Sequence, residues 1–451
     1  MKSNDAVIRL VVFLLVGVAL AAVTGRLSEH SVNDTPSYLN YPLGSLPDAM
    51  LSIRTPGYPV FLAAVSATIG LSMVPLLQVL LHSIASWLLG EELLSRGMPT
   101  RSALAASFCV LVGCTAADHI NTISTDAPAA SLGLIAAVLL MRACRTGSKA
   151  SAIGCAVLVL VTIFVRPAYL FLIPWTALAG WLLVKRRCGE NVSRSVSEPS
   201  RFLGLKIALS VSVAVFGWMC LRKLVVSDFG IVPFGHQNLS AILVQTVPPS
   251  TLRELPGDAG QLGQLVADEL EKQGFELPSQ ARRSIPTLTL ESQWGQINYG
   301  VVWPVARDSF ASQDAIGVIA PQVLMHRRIG AMNRSILFGS PGGYIRWLFL
   351  AARRAVWGTA ANIAMHPVFL ILILFGMIWL VIRATREKSL GPISVPDGWE
   401  AFAIVAISYA ILGVGFVILS SPPLGRFADA TAIFLPALIV CLLVSPPVTS
   451  R

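Results

Sequence analysis

The chain has 451 residues, 54% of them hydrophobic and only 13% charged, with a formal net charge of +10. A water-soluble domain carries about 25% charged residues, so the composition excludes that class, and the remaining charges collect in short clusters between apolar runs as a bilayer demands. The basic surplus sits at the ends of those runs rather than along a polar face, which argues against a nucleic-acid partner and assigns it to orienting membrane spans.

In chain order, apolar runs predict spans at roughly 7–24, 73–94, 102–117, 127–143, 151–165, 168–184, 205–226, 363–383, 400–420 and 430–446, against the requirement of about 20 residues per crossing. The apolar run of the first, from about Leu10 to Val23, follows Lys2 and Arg9, as the apolar core of a signal peptide does. Ala21-Ala22-Val23 is a poor small-residue cleavage site, however, and an uncleaved first span is expected. The run from Gly57 to Gly70 opens with Pro56-Gly57-Tyr58-Pro59 and is short for a span, which suits a re-entrant or surface-lying helix. If it does not cross, the clusters Arg96/Arg101, Arg142/Arg145/Lys149, Lys185/Arg186/Arg187 and Arg383/Arg386/Lys388 share one side, the cytoplasmic one. If it crosses, they split. The expected fold is therefore an all-α polytopic membrane protein, a bundle of about ten transmembrane helices with both termini cytoplasmic. Arg222 and Lys223, near the outer face, fit this least well.

Three hydrophilic segments then face outward. The first, about 25–56, holds Glu29, Asp34, Asp48 and Arg54, and the second is short, about Ala117 to Asp126. The third, about 227–345, has room for a small domain or packed surface helices, with a charged helical stretch near Val266 to Arg283. Trp294, Tyr299 and Trp303 suit the membrane interface, where amphipathic rings concentrate. The chain divides accordingly into 1–226, 227–345 and 346–451. Gly339-Ser340-Pro341-Gly342-Gly343 reads as a turn, since it lacks the strand and lysine of a phosphate-binding loop. The seven cysteines lie in or beside apolar runs or in a cytoplasmic loop without Cys-x-x-Cys, which speaks against a disulfide framework or a zinc site.

The most informative stretch is Asn33-Asp34-Thr35-Pro36-Ser37-Tyr38, followed by Arg54-Thr55-Pro56-Gly57-Tyr58-Pro59. A carboxylate at the membrane surface beside an apolar cradle can take the proton of an attacking hydroxyl; the plainer reading of Asp34 is a helix cap. This stretch resembles the first outward loop of the GT-C superfamily of glycosyltransferases, particularly the bacterial relatives of the dolichyl-phosphate-mannose protein mannosyltransferases. An arginine–aromatic pair before the last span, Gly425-Arg426-Phe427, is similar to that family too. The resemblance spans the layout of the whole chain but only short motifs, and the second loop carries Asp where many relatives carry Glu.

The resemblance implies inverting transfer of one sugar from a polyprenyl-phosphate donor, with Asp34 as base and Tyr38 and Tyr58 lining the donor site. Asp126, in Ser124-Thr125-Asp126-Ala127-Pro128, and Asp118 would support the acceptor or a metal, while Arg426, Arg166 and Arg54 would bind the donor phosphate. Guanidinium suits that task because its fork matches phosphate oxygens. Each has a bland counterpart: Asp126 as a first-turn acid favoured by the helix dipole, the arginines as side chains snorkelling to headgroups, Arg54 as a partner of Asp34 or Asp48. His119 and His236 read as loop histidines. A divalent cation, magnesium or manganese, is compatible with this picture without being required by it. The partners implied are the lipid donor, membrane lipid and an acceptor left open among glycan, lipid and protein. The implied location is a bacterial inner membrane with the site facing outward. A transporter or flippase of a lipid-linked substrate is the alternative, although such proteins place ionisable groups near the midplane, where this chain has only His82 and His366. A non-enzymatic scaffold binding a partner through the third segment is the remaining reading.

Overall fold

The computed structural model describes residues 3–113, 118–187, 202–275, 277, 287–311, 320–365, 367–386, 397–423 and 432–444. Among them all regular elements are helical. The first half comprises α1 (Ser3–Val23), α2 (Thr35–Leu39), α3 (Leu46–Leu51), α4 (Gly57–Thr68), α5 (Val74–Ser95), α6 (Thr100–Leu111), α7 (Asp126–Thr146), α8 (Lys149–Val165), α9 (Leu172–Arg187) and α10 (Leu203–Val226). The described residues of 227–345 fold as α11 (His236–Thr246), α12 (Pro249–Arg253), α13 (Gly257–Lys272), α14 (Thr287–Gln296), a π turn at Ile297–Val302, α15 (Trp303–Ala311) and α16 (Pro321–Gly339). The chain continues as α17 (Pro341–Met365), α18 (Pro367–Arg386), α19 (Asp397–Ile418) and α20 (Leu435–Val444).

Among the described residues, six helices are long and apolar enough to cross a membrane: Asn4–Val23, Leu71–Ser95, Asp126–Thr146, Pro167–Lys185, Leu203–Val226 and Gly398–Ile418. The sequence predicted about ten. Two of the others, α6 and α8, are apolar but have only 12 and 17 residues. At 1.5 Å per residue they rise about 18 and 26 Å, less than the roughly 30 Å hydrocarbon core. The helices turn apolar stripes outward, Val7, Ile8, Val11 and Leu15 on α1 and Leu205, Leu209, Val213 and Phe216 on α10. In water such stripes would drive aggregation; in hydrocarbon they face their solvent.

The inward faces are small. Ala127, Ala129, Ala130, Ala136, Ala137 and Ala143 of α7 are buried, and Gly180 meets Gly204 so closely that a Cβ on Gly180 would lie 2.7 Å from the Gly204 Cα. Helices pack in lipid through small residues that let backbones approach. At one end, Glu92 is buried and receives Arg96 Nε at 3.0 Å and Arg145 Nη2 at 2.8 Å, and Gly398 N donates to Arg96 O at 3.2 Å. This fixes the polarity of the bundle: α5 and α7 end, and α19 begins, on the Arg96 side. Asp126, at the start of α7, and Ile418, at the end of α19, therefore share the opposite face.

The run Gly57–Gly70 does not cross. Its helix α4 has 12 residues, a rise of about 18 Å. Gly57 abuts the Phe164–Val165 backbone, where any Cβ would sit 2.6 Å from Phe164 O. At its other end Gly70 (φ +88°) breaks the helix and the chain re-enters through α5, whose Gln78 bonds Ile120 O and Thr122 O.

The third segment has its own core, drawn from Ile242, Leu243, Leu262, Val266, Trp294, Ile297, Ile329 and Met332, and continued by Trp347 and Ala351 of α17. Several expectations are corrected here. The charged helix, expected near Val266 to Arg283, runs Gly257–Lys272, because Gly274 (φ +71°) follows its end; residues 276 and 278–283 of that stretch lie outside the described residues. Trp294 is not at an interface; it is buried, and its Nε1 donates to Asn238 O at 3.0 Å. The Gly339–Gly343 run is not a plain turn: α16 ends at Gly339 and α17 begins at Pro341, with Gly343 lying so near Thr246 that a Cβ would stand 2.8 Å from it.

Arg222, the misfit near the outer face, is fully buried. Its Nη2 lies 2.9 Å from Asp228 Oδ2, and its Nε donates to Met50 O at 3.1 Å. It thus ties α10 to α3 and to the start of the third segment. Nearby, His236 stacks on His326 with centroids 4.0 Å apart. Burial, reinforced by His236 and Arg222, holds His326 down from 6.5 to about 3; burial also lowers His236, with Arg334 adding and Asp228 opposing. A histidine depressed in the fold stays neutral there while the unfolded chain protonates. Stability should therefore rise with pH between about 3 and 6.5 and be lost as pH falls through that window, by at most about 1.4 kcal/mol per pH unit for each histidine. The expected result is that His326→Phe, which keeps a stacked ring, flattens the fall of the thermal midpoint between pH 6.5 and 4; identical slopes for both proteins would refute it.

Candidate active site

The candidate residues gather where the loop that precedes α2 and the loop that precedes α7 meet the start of α7 and the end of α8. The loops are clasped by backbone: His30 N donates to Asn121 O and Ile123 N to His30 O, both at 2.9 Å, giving an isolated parallel bridge to Thr122. Thr35 Oγ1 donates to Ile123 O at 2.9 Å, and Asn121 Nδ2 to Ser28 O at 3.1 Å.

Asp34 occupies the cap position of α2, yet its carboxylate makes no capping bond. Instead Arg54 Nη2 lies 2.8 Å from Asp34 Oδ1, and Arg54 Nε donates to Ser37 Oγ at 2.7 Å. The same guanidinium covers the Tyr38 ring at 4.5 Å, a cation–π contact. Tyr38 is buried and meets Tyr58 edge to face at 5.3 Å. Asp34 keeps 35% of its side-chain surface exposed, so a substrate can reach it.

Asp126 is different. It is 1% exposed, with Arg166 Nη1 at 2.8 Å from Oδ1 and Ser124 Oγ donating to Oδ2 at 3.1 Å. Arg166 can reach it because Pro167 disfavours helix at the preceding residue. Arg166 is extended (φ −148°, ψ 106°), and its side chain turns back over the start of α7. Arg166 Nη1 also donates to Thr125 Oγ1 at 2.9 Å, and Thr125 Oγ1 lies 3.5 Å from Tyr38 Oη. Asp34, Arg54, Tyr38, Thr125, Arg166 and Asp126 therefore form one continuous chain of contacts, with Tyr58 packed beside it.

One predicted member stands elsewhere: Asp118 is taken by Arg26 at 2.6 Å and is half exposed. His236, read from the sequence as a loop histidine, is instead the first residue of α11 and stacks on His326. Arg426 lies outside the described residues. Thr125, Ser37 and Arg26 went unassigned by sequence reasoning, since a hydroxyl or a lone arginine in a loop carries no pattern of its own. Among the described residues no group of three or more His, Cys, Asp or Glu is placed to hold a metal, and each candidate carboxylate faces a guanidinium; the donor set does not suit a divalent cation. A cleft of about 740 Å³ opens between helices of the third segment, lined by Leu262, Asp268, Lys272, Pro304, Asp308 and Arg328 among others. None of the predicted site residues lines it.

No family model and no curated protein matches the chain. Among solved structures, that of ArnT from Cupriavidus metallidurans bound to undecaprenyl phosphate aligns over 98% of this chain and 77% of that one, at 13% identity and a TM-score of 0.37. So low a score leaves the reading of the fold and the site to the helices and contacts described above.

Removing one partner of a buried pair strands the other charge, typically at about 3–5 kcal/mol. Arg166→Leu should lower stability by that order, and adding Asp126→Asn should recover part of the loss. A double-mutant cycle read by thermal unfolding checks this; strictly additive losses would show that the pair is not coupled.

Proposed function

We propose that the chain is a membrane glycosyltransferase that moves a sugar from a polyprenyl-phosphate donor to a hydroxyl acceptor at the outward face of a bacterial inner membrane. The observation that supports this reading is the continuous cluster of Asp34, Arg54, Tyr38, Thr125, Arg166 and Asp126 on one face of an apolar bundle. A reaction between a lipid phosphate and a polar acceptor has to be run at such a boundary.

In this reading Asp34 accepts the proton of the acceptor hydroxyl as its oxygen bonds the anomeric carbon. The bond from that carbon to the phosphate oxygen breaks, and the lipid phosphate leaves carrying the electron pair. Attack opposite the leaving group inverts the anomeric configuration. Arg54 orients the Asp34 carboxylate and, with Arg166, stabilises charge growing on the phosphate, as preorganised donors do. Asp126, too buried to meet an acceptor, positions Arg166. Tyr38 and Tyr58 line the donor site, and α4 with its exposed Val60 lies beside the lipid tail.

The test is transfer from radiolabelled polyprenyl-phosphate sugars to membrane-extract acceptors by purified wild type and Asp34→Asn, matched for folding and donor binding. Loss of a general base should slow transfer about 10²–10⁴-fold. Equal rates would dismiss Asp34 as the base, and lipid translocation in vesicles without transfer by the wild type would favour a flippase. Arg54→Gln is expected to weaken donor binding as well as turnover, measured as a rise in the donor KM; an unchanged KM would remove Arg54 from the phosphate site.

A further inference from the structure

Helix α17 presents a surface that the transfer reaction does not use. Its exposed side carries Ile345, Phe349, Val356 and Trp357, which are 50%, 75%, 73% and 70% exposed. Arg346 and Arg353 are exposed on the same side, and their seven-residue spacing places them about 10.5 Å apart along the axis. Among the described residues no ion pair engages either arginine. The opposite side is anchored: Trp347, Ala351 and Ala355 are buried, Trp347 Nε1 donates to Ile418 O at 3.0 Å, and Tyr344 Oη to Leu419 O at 2.7 Å. Arg354, which points off the stripe, reaches Glu291 at 3.3 Å.

These anchors set the height of the helix. Ile418 and Leu419 end α19 on the same membrane face as Asp126, so α17 leaves from the level where hydrocarbon gives way to headgroups. It is not among the helices apolar enough to cross. A stripe that mixes large apolar groups, a tryptophan and unpaired arginines matches an interface-lying helix, whose apolar groups enter the acyl boundary while its cations meet phosphate.

We infer that this stripe of α17 is a docking surface for anionic phospholipid, with Arg346 and Arg353 receiving headgroup phosphates between Ile345, Phe349, Val356 and Trp357. The charge complementarity selects anionic over zwitterionic lipid, and the inference stands apart from the proposed reaction. Attraction of a basic side chain to an anionic surface corresponds to about a fivefold gain in association per arginine.

The experiment measures binding of fluorescent phosphatidylglycerol and phosphatidylcholine to the full chain in detergent. It compares wild type, the double variant Arg346→Gln/Arg353→Gln and the charge-preserving Arg346→Lys/Arg353→Lys. Phosphatidylglycerol should bind the Gln variant about 25-fold more weakly, the Lys variant nearly as well as wild type, and phosphatidylcholine all three alike. A photo-crosslinker replacing Phe349 should capture lipid in intact membranes. Unchanged phosphatidylglycerol binding by the Gln variant, competition by free glycerol phosphate, or capture of a protein at position 349 would each overturn the assignment.

Discussion

Asp126 and Arg166 have both left water, and neither could remain charged there alone. Taking an ion out of water costs several kcal/mol even after relaxation, and only close pairing with further hydrogen bonds repays it. That requirement organises the surrounding structure. Ser124 and Thr125 supply the extra bonds, Pro167 frees Arg166 from helical geometry, and Tyr38 reaches Thr125 from the first loop. The first loop is held at the end of α7 because the pair and its hydroxyls need closing off.

The other end of the bundle meets the same problem in the same way. Glu92 is shared between Arg96 and Arg145, and Arg9 forks onto Glu91 at 2.6 and 3.0 Å. Between these charged ends the helices meet through alanine and glycine, so that van der Waals contact replaces the hydrophobic force that lipid cannot supply between helices. The midplane His82 belongs to this packing: its ring nitrogens bond Ser131 Oγ and Val110 O. It is a satisfied core group, with both ring nitrogens bonded.

Much of this was legible in the sequence because it depends on local rules. Pro56 and Gly70 bracket α4, and its length forbids a crossing. Asp34 was legible as a candidate, but its local setting pointed equally to a cap; Asp34 and Asp48 were both open as partners of Arg54, and the fold selects Asp34 from 20 residues away. The same holds for Arg222, which looks like a topological error until Met50 and Asp228 surround it. Trp294 was misread because an aromatic near a membrane segment looks interfacial, whereas here it fills a second core. Pairings distant in sequence leave no periodicity, and hydroxyls such as Thr125 carry no spacing signature.

The bridge between His30 and Thr122 makes the loops before α2 and α7 a single mechanical unit. A shift of one residue on either side would part Thr35 from Ile123 and move Asp34 relative to Arg166 together with the whole first loop. Chimaeras that graft either loop from another protein would therefore have to exchange residues 28–35 and 119–126 as a matched set. Recombination within either stretch alone would break the alignment of the two halves.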